Sequence, residues 1–377
     1  MDIYIKKSIF LEALQLIVNI SPKTTTEKIT NNVLLETEEF NGKSVLQIKA
    51  TNHENTFFGK FEIEIIQHGK ICVNTSKLFN LVREFRGDKI KIDSTPQNWV
   101  FLTSENSKVK LPGVDPTNYP MIEFQPLESE FELPSIALNK AIERTFFSIG
   151  ENESRRNLMG LNLEIVSSNT INWTGADAFR ICRYKTDLET PIEAAGNIII
   201  PKKSLLELKK ILDFTKESVK ASFSENTFQI ETDQIKFKTQ LIEAEYPNLD
   251  RLIENEGSQK LSVSRKELLN AVKILNTVTD GDNNSIMKLT VMEGKILVES
   301  QKMEFGEGND EIECDYAGEV MSIGLNIKFL LDALQVFEGS DDEDICFNFN
   351  NPELPVVILC DEWKNFKTVL MPVRIRW

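Results

Sequence analysis

Enzymes need nucleophiles, general acids and bases, or metal ligands in usable arrangements, and this chain offers few. It has two histidines, His53 and His68, so little can rest on a side chain that titrates near neutrality. Its five cysteines, Cys72, Cys182, Cys314, Cys346 and Cys360, are widely spaced and form no Cys-x-x-Cys pair. That spacing supports neither a zinc site nor a disulfide framework. Buried free thiols in a reducing compartment are the expectation. Gly42-Lys43-Ser44 lacks the earlier glycine of a phosphate-binding loop. Gly306-Glu307-Gly308 is not followed by a helix-opening glycine, so it makes no dinucleotide fingerprint. Asp280-Gly281-Asp282-Asn283-Asn284 has some acids of a calcium loop, but it lacks the glycine at the sixth place. Val291 also stands where a bidentate glutamate belongs, and a polar turn is expected. No Gly-x-Ser-x-Gly elbow is present. The acidic run Glu338–Asp344 reads as a solvated loop. No pair of carboxylates is singled out for acid–base work. The expectation is no catalytic residue, no metal and no cofactor: a binding or scaffold protein.

The charged residues suggest what is bound. The 377 residues carry 43 Lys and Arg against 58 Asp and Glu, a net charge of −15, with 41% hydrophobic residues. This composition excludes a disordered chain, a collagen-like fibre and a membrane bundle. It also argues against a simple basic nucleic-acid binder. The charge is segregated, however. Six helical windows, 5–20, 71–87, 135–150, 198–212, 263–278 and 325–337, together carry +9, which leaves −24 on the remainder. Six helices carrying that net positive charge, if they lined one surface, would hold a polyanion by its phosphates without reading sequence.

Those helices recur. Ser8–Leu14, Ile136–Ile142 and Lys266–Val272 share one pattern, with central alanines Ala13, Ala141 and Ala271 at offsets of 128 and 130. A second helix follows a short apolar strand in each unit: Ile71-Cys72-Val73, Ile198-Ile199-Ile200 and Met321-Ser322-Ile323. In it Phe79, Leu206 and Leu331 align at offsets of 127 and 125. Tyr119-Pro120 and Tyr246-Pro247 lie 127 apart. Three units of about 126 residues fill the chain. Val45–Ala50, Phe61–Ile65 and Thr227–Glu231 read as half-buried strands. Each unit is therefore α+β, two helices packed on antiparallel sheet. Gln125–Glu132 and Asn255–Gln259 read as linkers. Near the start, Lys6-Lys7 and Ile9-Phe10-Leu11 faintly suggest a secretory signal, but Glu12 and Gln15 interrupt it. Phe10, Ala13, Leu14, Ile17 and Val18 fall instead at helical spacing. A cytoplasmic protein with no membrane span is the expectation.

With the repeats in place, the chain resembles the bacterial DNA polymerase sliding clamp, the β subunit of the replicative DNA polymerase III. The resemblance runs the full length. It includes Phe147-Ser148-Ile149 with Arg155, Leu158-Met159-Gly160, Asp177-Ala178-Phe179-Arg180 and Ile200-Pro201-Lys202-Lys203. It continues through Tyr246-Pro247 with Arg251 to the ending Met371-Pro372-Val373-Arg374-Ile375. It implies three similar clamp domains, 1–126, 127–256 and 257–377, in a head-to-tail dimeric ring with helices inside and sheets outside. Twelve helices about 10 Å wide, side by side, span about 120 Å. That circle has a mean diameter of about 38 Å and admits a duplex with water around it. The implied function is a processivity factor that encircles double-stranded DNA without sequence specificity. Its implied partners are the replicative DNA polymerase, the clamp loader, repair polymerases and other proteins with clamp-binding motifs.

The resemblance also implies sites. The partner-peptide groove would comprise Leu158, Ala176, Ala178, Phe179, Arg180, Ile181, Pro247, Arg251, Leu252 and Pro355, with Val369, Leu370, Met371, Pro372, Val373 and Arg374. The DNA channel would draw on Lys77, Arg83, Arg86, Lys140, Arg144, Lys202, Lys203, Lys209, Lys210, Arg265, Lys266 and Lys273. The dimer seam would bring Val109 and Leu111 against Ile274 and Leu275 of a second copy. Two departures stand out. Ala178-Phe179-Arg180 replaces the Gly-His-Arg of many clamps, and Arg376-Trp377 extends past the usual end. Two other readings stay open. One is a divergent clamp-fold scaffold that binds partner proteins without encircling DNA. The other is a hydrolase with an Asp/Glu pair, which gives no reason for a threefold repeat.

Overall fold

The computed structural model describes residues 1–21, 28–192, 195–215, 217–255, 257–279, 285–300, 306–339 and 344–375. The calcium-like turn at 280–284, residues 340–343 of the acidic run, and Arg376-Trp377 lie outside the described residues. One element order runs three times, with one extra strand, the fifth, in the first third. The first third holds β1 (Asp2–Lys6), α1 (Lys7–Ile17), β2 (Asn32–Phe40), β3 (Lys43–Thr51), β4 (Asn55–Glu62), β5 (Glu64–Gln67), β6 (Lys70–Asn74), α2 (Thr75–Glu84), β7 (Lys89–Ser94), β8 (Trp99–Ser104) and β9 (Ser107–Val114). The second holds β10 (Ser129–Pro134), α3 (Ser135–Thr145), β11 (Gly160–Ser167), β12 (Thr170–Ala176), β13 (Arg180–Asp187), β14 (Asn197–Pro201), α4 (Lys202–Phe214), β15 (Ser218–Phe223), β16 (Thr227–Glu231) and β17 (Ile235–Gln240). After a short helix, α5 (Asp250–Ile253), come β18 (Gln259–Ser264), α6 (Arg265–Val278), β19 (Ile286–Met292), β20 (Lys295–Ser300), β21 (Asn309–Asp315), β22 (Met321–Asn326), α7 (Ile327–Val336), β23 (Asp344–Phe349), β24 (Val356–Leu359) and β25 (Phe366–Leu370).

Local chemistry fixes where strands hand over to helices. Asn74, Ser264 and Asn326 each close a strand, and each side chain accepts from a backbone N–H in the first turn of the helix that follows. Such a cap is worth about 1 kcal/mol. The three aligned alanines are all fully buried, on the packed face of their helices. In the second helix of each third the aligned leucines Leu78, Leu205 and Leu330 are among the buried positions. They lie one residue before the expected markers, and Leu206 is 48% exposed. Adjacent helical positions point about 100° apart, so a one-residue difference in phase separates core from surface.

The described residues form two compact units. Unit 1 is Met1–Asn139, Thr190–Ala194 and Lys203–Leu241; unit 2 is Lys140–Glu189, Ala195–Lys202 and Ile242–Trp377. Unit 1 contains a thirteen-stranded sheet in the order β10-β15-β16-β17-β4-β3-β2-β6-β9-β8-β7-β1-β5. Unit 2 contains a twelve-stranded sheet in the order β14-β11-β12-β13-β25-β24-β23-β18-β21-β20-β19-β22. In unit 1, β17 pairs antiparallel with β4 from Ile235↔Gly59 to Thr239↔Asn55. In unit 2, β13 pairs antiparallel with β25 from Arg180↔Leu370 to Tyr184↔Phe366.

Four expectations change. The run Phe61–Ile65 is two strands, because the chain leaves β4 at Ile63, whose N–H turns to the Ser44 carbonyl, and re-enters pairing as β5 against β1. The linker at Gln125–Glu132 ends earlier, since residues 129–132 already pair with β15. Likewise Gln259 opens β18. Val18 caps α1 and lies outside it. The five cysteines are free thiols, and Cys72, Cys182 and Cys360 are buried.

Candidate functional site

The expected groove residues lie in unit 2, in three layers. Leu158, Ala176, Ile181 and Val369 share one buried cluster with Tyr246, Ile253 and Val357, and Leu252 packs against it. Pro355 and Leu370 are buried as well. These residues are core, and at most they floor a groove. Pro247, Met371, Pro372 and Val373 are half-buried above them. Ala178, Phe179, Arg251 and Arg374 are exposed. Such a graded apolar surface, with few polar groups around it, suits a short peptide.

Several bonds fix its edges. The Tyr246 hydroxyl donates to the Thr174 carbonyl at 3.1 Å and holds the Tyr-Pro corner on β12. Arg183 of β13 reaches Asp250 at 2.6 Å, which anchors α5 and with it Arg251 and Leu252. The C-terminal segment is held at two points: Met371 N–H donates to the Phe179 carbonyl, and Val373 N–H to that of Gly324, both at 2.8 Å. A Cβ on Gly324 would lie 2.3 Å from the Val373 carbonyl oxygen, so only glycine lets the segment lie there.

Arg180 differs from the expectation of a residue open to a ligand. Its side chain is 10% exposed and paired with two carboxylates, Asp177 at 3.1 Å and Asp332 at 2.6 Å. Its guanidinium lies over the rings of Phe329 (4.4 Å) and Phe147 (5.3 Å). Phe179 stacks on Phe329 with centroids 5.9 Å apart. Sequence reasoning gave no site role to Asp332, Phe329 or Phe147. Phe329 and Asp332 fall inside the third aligned helix pattern, which was read for its packing alone.

The expected channel cations divide by surroundings. Lys77, Arg83, Arg86, Lys140, Lys203, Lys266 and Lys273 are exposed, with Arg86 two residues beyond the end of α2. Lys209 is half-buried. Lys202 donates to the Ile149 carbonyl at 2.8 Å and pairs with Glu151 at 2.9 Å. Lys210 pairs with Glu207 at 2.7 Å. Arg144 lies against Trp363 (3.9 Å) and Tyr184 (4.7 Å), where burial lowers its pKa from the usual arginine range. Arg265 must be corrected. It is 8% exposed, and its guanidinium donates to the Leu334 carbonyl. It binds α6 to α7 and offers no surface charge.

At the expected seam, Val109 and Leu111 are half-buried on β9. Among the described residues, that strand pairs from Ser107 to Pro112 only with β8. Ile274 is 48% exposed. Leu275 must be corrected, because it is fully buried on the core side of α6. Among the described residues no three His, Cys, Asp or Glu side chains gather as metal ligands. Among them, too, no helix is long and apolar enough to cross a membrane.

Comparison with known proteins agrees with this arrangement. Three family models match in order: DNA polymerase III beta subunit, N-terminal domain at 1–123, central domain at 132–248, and C-terminal domain at 250–374. The beta sliding clamp of Staphylococcus aureus strain Mu50 is 25% identical over 381 residues, covering 99% of each chain. The sliding clamp of Bartonella birtlesii, solved bound to griselimycin, superposes with a TM-score of 0.92 at 23% identity over all of both chains. That of Pseudomonas aeruginosa, also bound to griselimycin, gives 0.91 at 22%, again over all of both chains. A threefold element order, three consecutive domain matches and full-length relatives lead to one conclusion: the chain belongs to the DNA polymerase III beta subunit family of sliding clamps.

Proposed function

We propose that two copies of this chain close head to tail around double-stranded DNA, without reading its sequence, and tether other proteins to it. The proposed partners are the replicative DNA polymerase, the clamp loader, repair polymerases and other proteins with clamp-binding motifs. The chain acts as a tether and catalyses nothing. Its domains are 1–126, 127–256 and 257–377, divisions that the matched ranges 1–123, 132–248 and 250–374 support.

One observation carries the ring: a strand junction used twice and left open once. β4, β13 and β21 hold the same place in successive thirds, as do β9, β17 and β25. β4 meets β17, and β13 meets β25, each over five antiparallel residue pairs. β21 and β9 remain. Among the described residues, Asn309–Glu313 pairs only with β20, and Ser107–Pro112 only with β8. The free stretch of β21 carries Asp310, Glu311 and Glu313, while that of β9 carries Lys108 and Lys110. Opposite charge and open backbone groups suit β21 of one copy to β9 of another. A head-to-tail contact that closes after two copies makes a ring.

Within the ring the exposed cations Lys77, Arg83, Arg86, Lys140, Lys203, Lys266 and Lys273 are the proposed DNA contacts. Few and loose contacts suit sliding, which needs nearly equal energy at every register. The groove of unit 2 is the proposed partner site, and griselimycin is the probe for it.

Retention on circles tests the function. The protein is loaded onto a nicked circular plasmid with a clamp loader and ATP, then the plasmid is cut once. The expected result is co-elution with the circle and release from the linear form. Equal retention on both, or on neither, would remove the encircling mechanism and favour a scaffold.

A further inference from the structure

Phe179 is a large apolar residue that is 55% exposed, yet it is held on three sides. Its N–H donates to Asp177 Oδ1 at 2.7 Å. Its carbonyl accepts from Met371 N–H at 2.8 Å. Its ring lies on Phe329 with planes 28° apart. The next residue, Arg180, sends its side chain into the protein, and its guanidinium covers the same Phe329 ring at 4.4 Å. Asp332 and Phe329 stand three residues apart on α7, which puts them on one helix face. Asp332 Oδ2 accepts from Arg180 Nη1 at 2.6 Å. A chain of direct contacts thus runs from Asp332 through Arg180 and Phe329 to Phe179.

We infer that Asp332 and Arg180 are positioning residues for the partner groove: their ion pair holds Phe329, and through it Phe179, as a pre-formed aromatic wall. The inference rests on the groove reading above and assigns Arg180 an indirect part in it. With a small exposed fraction and two carboxylates already on it, the guanidinium has little left to offer a ligand. A ring fixed before binding loses less side-chain freedom on binding than a free one. A flat wall of two stacked rings favours a partner whose anchoring side chain is itself planar.

Two measurements on the full-length chain test this. In the first, 4-fluorophenylalanine replaces Phe179, and its ¹⁹F resonance is recorded without ligand. Stacking on Phe329 is expected to displace the line from its position in the denatured chain. Asp332→Asn is expected to return it most of the way, and Asp332→Glu to restore it, with unchanged circular dichroism throughout. In the second, griselimycin affinity is measured by calorimetry. Asp332→Asn is expected to weaken it about tenfold, the scale of one lost charged hydrogen bond. Phe179→Ala is expected to weaken it similarly, and the double variant no further, because the two act in series. An unmoved ¹⁹F line in Asp332→Asn overturns the inference whatever the ligand does. Fully additive losses also overturn it. A displaced line together with no griselimycin binding by the wild-type chain would contradict the groove reading and leave the positioning intact.

Discussion

Tyr119 and Tyr246 do one job in two places. The Tyr119 hydroxyl donates toward the Asn32 and Lys49 carbonyls at 3.1 and 3.2 Å, and that of Tyr246 to the Thr174 carbonyl at 3.1 Å. Burial raises both phenol pKa values. Tyr246→Phe leaves a buried carbonyl short of a donor, at a cost of about 1–3 kcal/mol, and thermal unfolding should register a lower midpoint. The thiols also give a pH signature. Burial pushes Cys72 and Cys182 up to about 12 from an ordinary 9.0. The unfolded chain would ionise these thiols first. The stability tied to them is therefore whole below pH 9 and declines as pH rises from 9 towards 12. Urea unfolding at pH 8, 9 and 10 should show a flat and then falling contribution, which Cys182→Ala removes in part. At this scale the sequence was a partial guide. The Tyr-Pro pairs and the aligned alanines could be read because spacing marks them. The burial of Arg265 could not, because residue type says nothing about which side of α6 faces α7; that of Leu275 follows its helical spacing with Leu268, Ala271 and Val272, against the place the resemblance implied.

Elements were easier to read than their edges. All six long helices stand where apolar spacing placed them, since a 3.6-residue period survives without any knowledge of neighbours. Strands showed the same clarity where one face is buried, as in β3, where Leu46, Ile48 and Ala50 point inward. What stayed hidden was pairing. That β9 and β21 each keep an open side among the described residues depends on strand order, which sequence periodicity does not contain. The same holds for Arg180: its motif was legible, but the carboxylate it meets on α7 lies 152 residues away. If β9 and β21 meet between copies, charge should matter there. Lys108→Glu with Lys110→Glu should shift sedimentation from dimer toward monomer at low salt. Glu311→Lys with Glu313→Lys in the partner copy should restore mixed dimers. A dimer unaffected by the lysine changes would move the seam elsewhere.

At the scale of the molecule, the acidic total conceals basic helices. A net charge of −15 taken alone argues against DNA. Divided by element, it describes a protein whose cations are concentrated on helices while the rest repels a polyanion. Repetition made this legible, because three copies of one pattern gave each charge a structural address. The structure refines the count, since Arg265 is buried while Lys202 and Lys210 are already paired with carboxylates. The field available to DNA is smaller than the sequence total, in keeping with a ring retained by closure more than by affinity. The most direct test is negative-stain electron microscopy of the purified protein at micromolar concentration, with class averaging. The account predicts closed rings of two chains with six similar lobes and a central hole. Solid particles, or open arcs of three lobes, would contradict it.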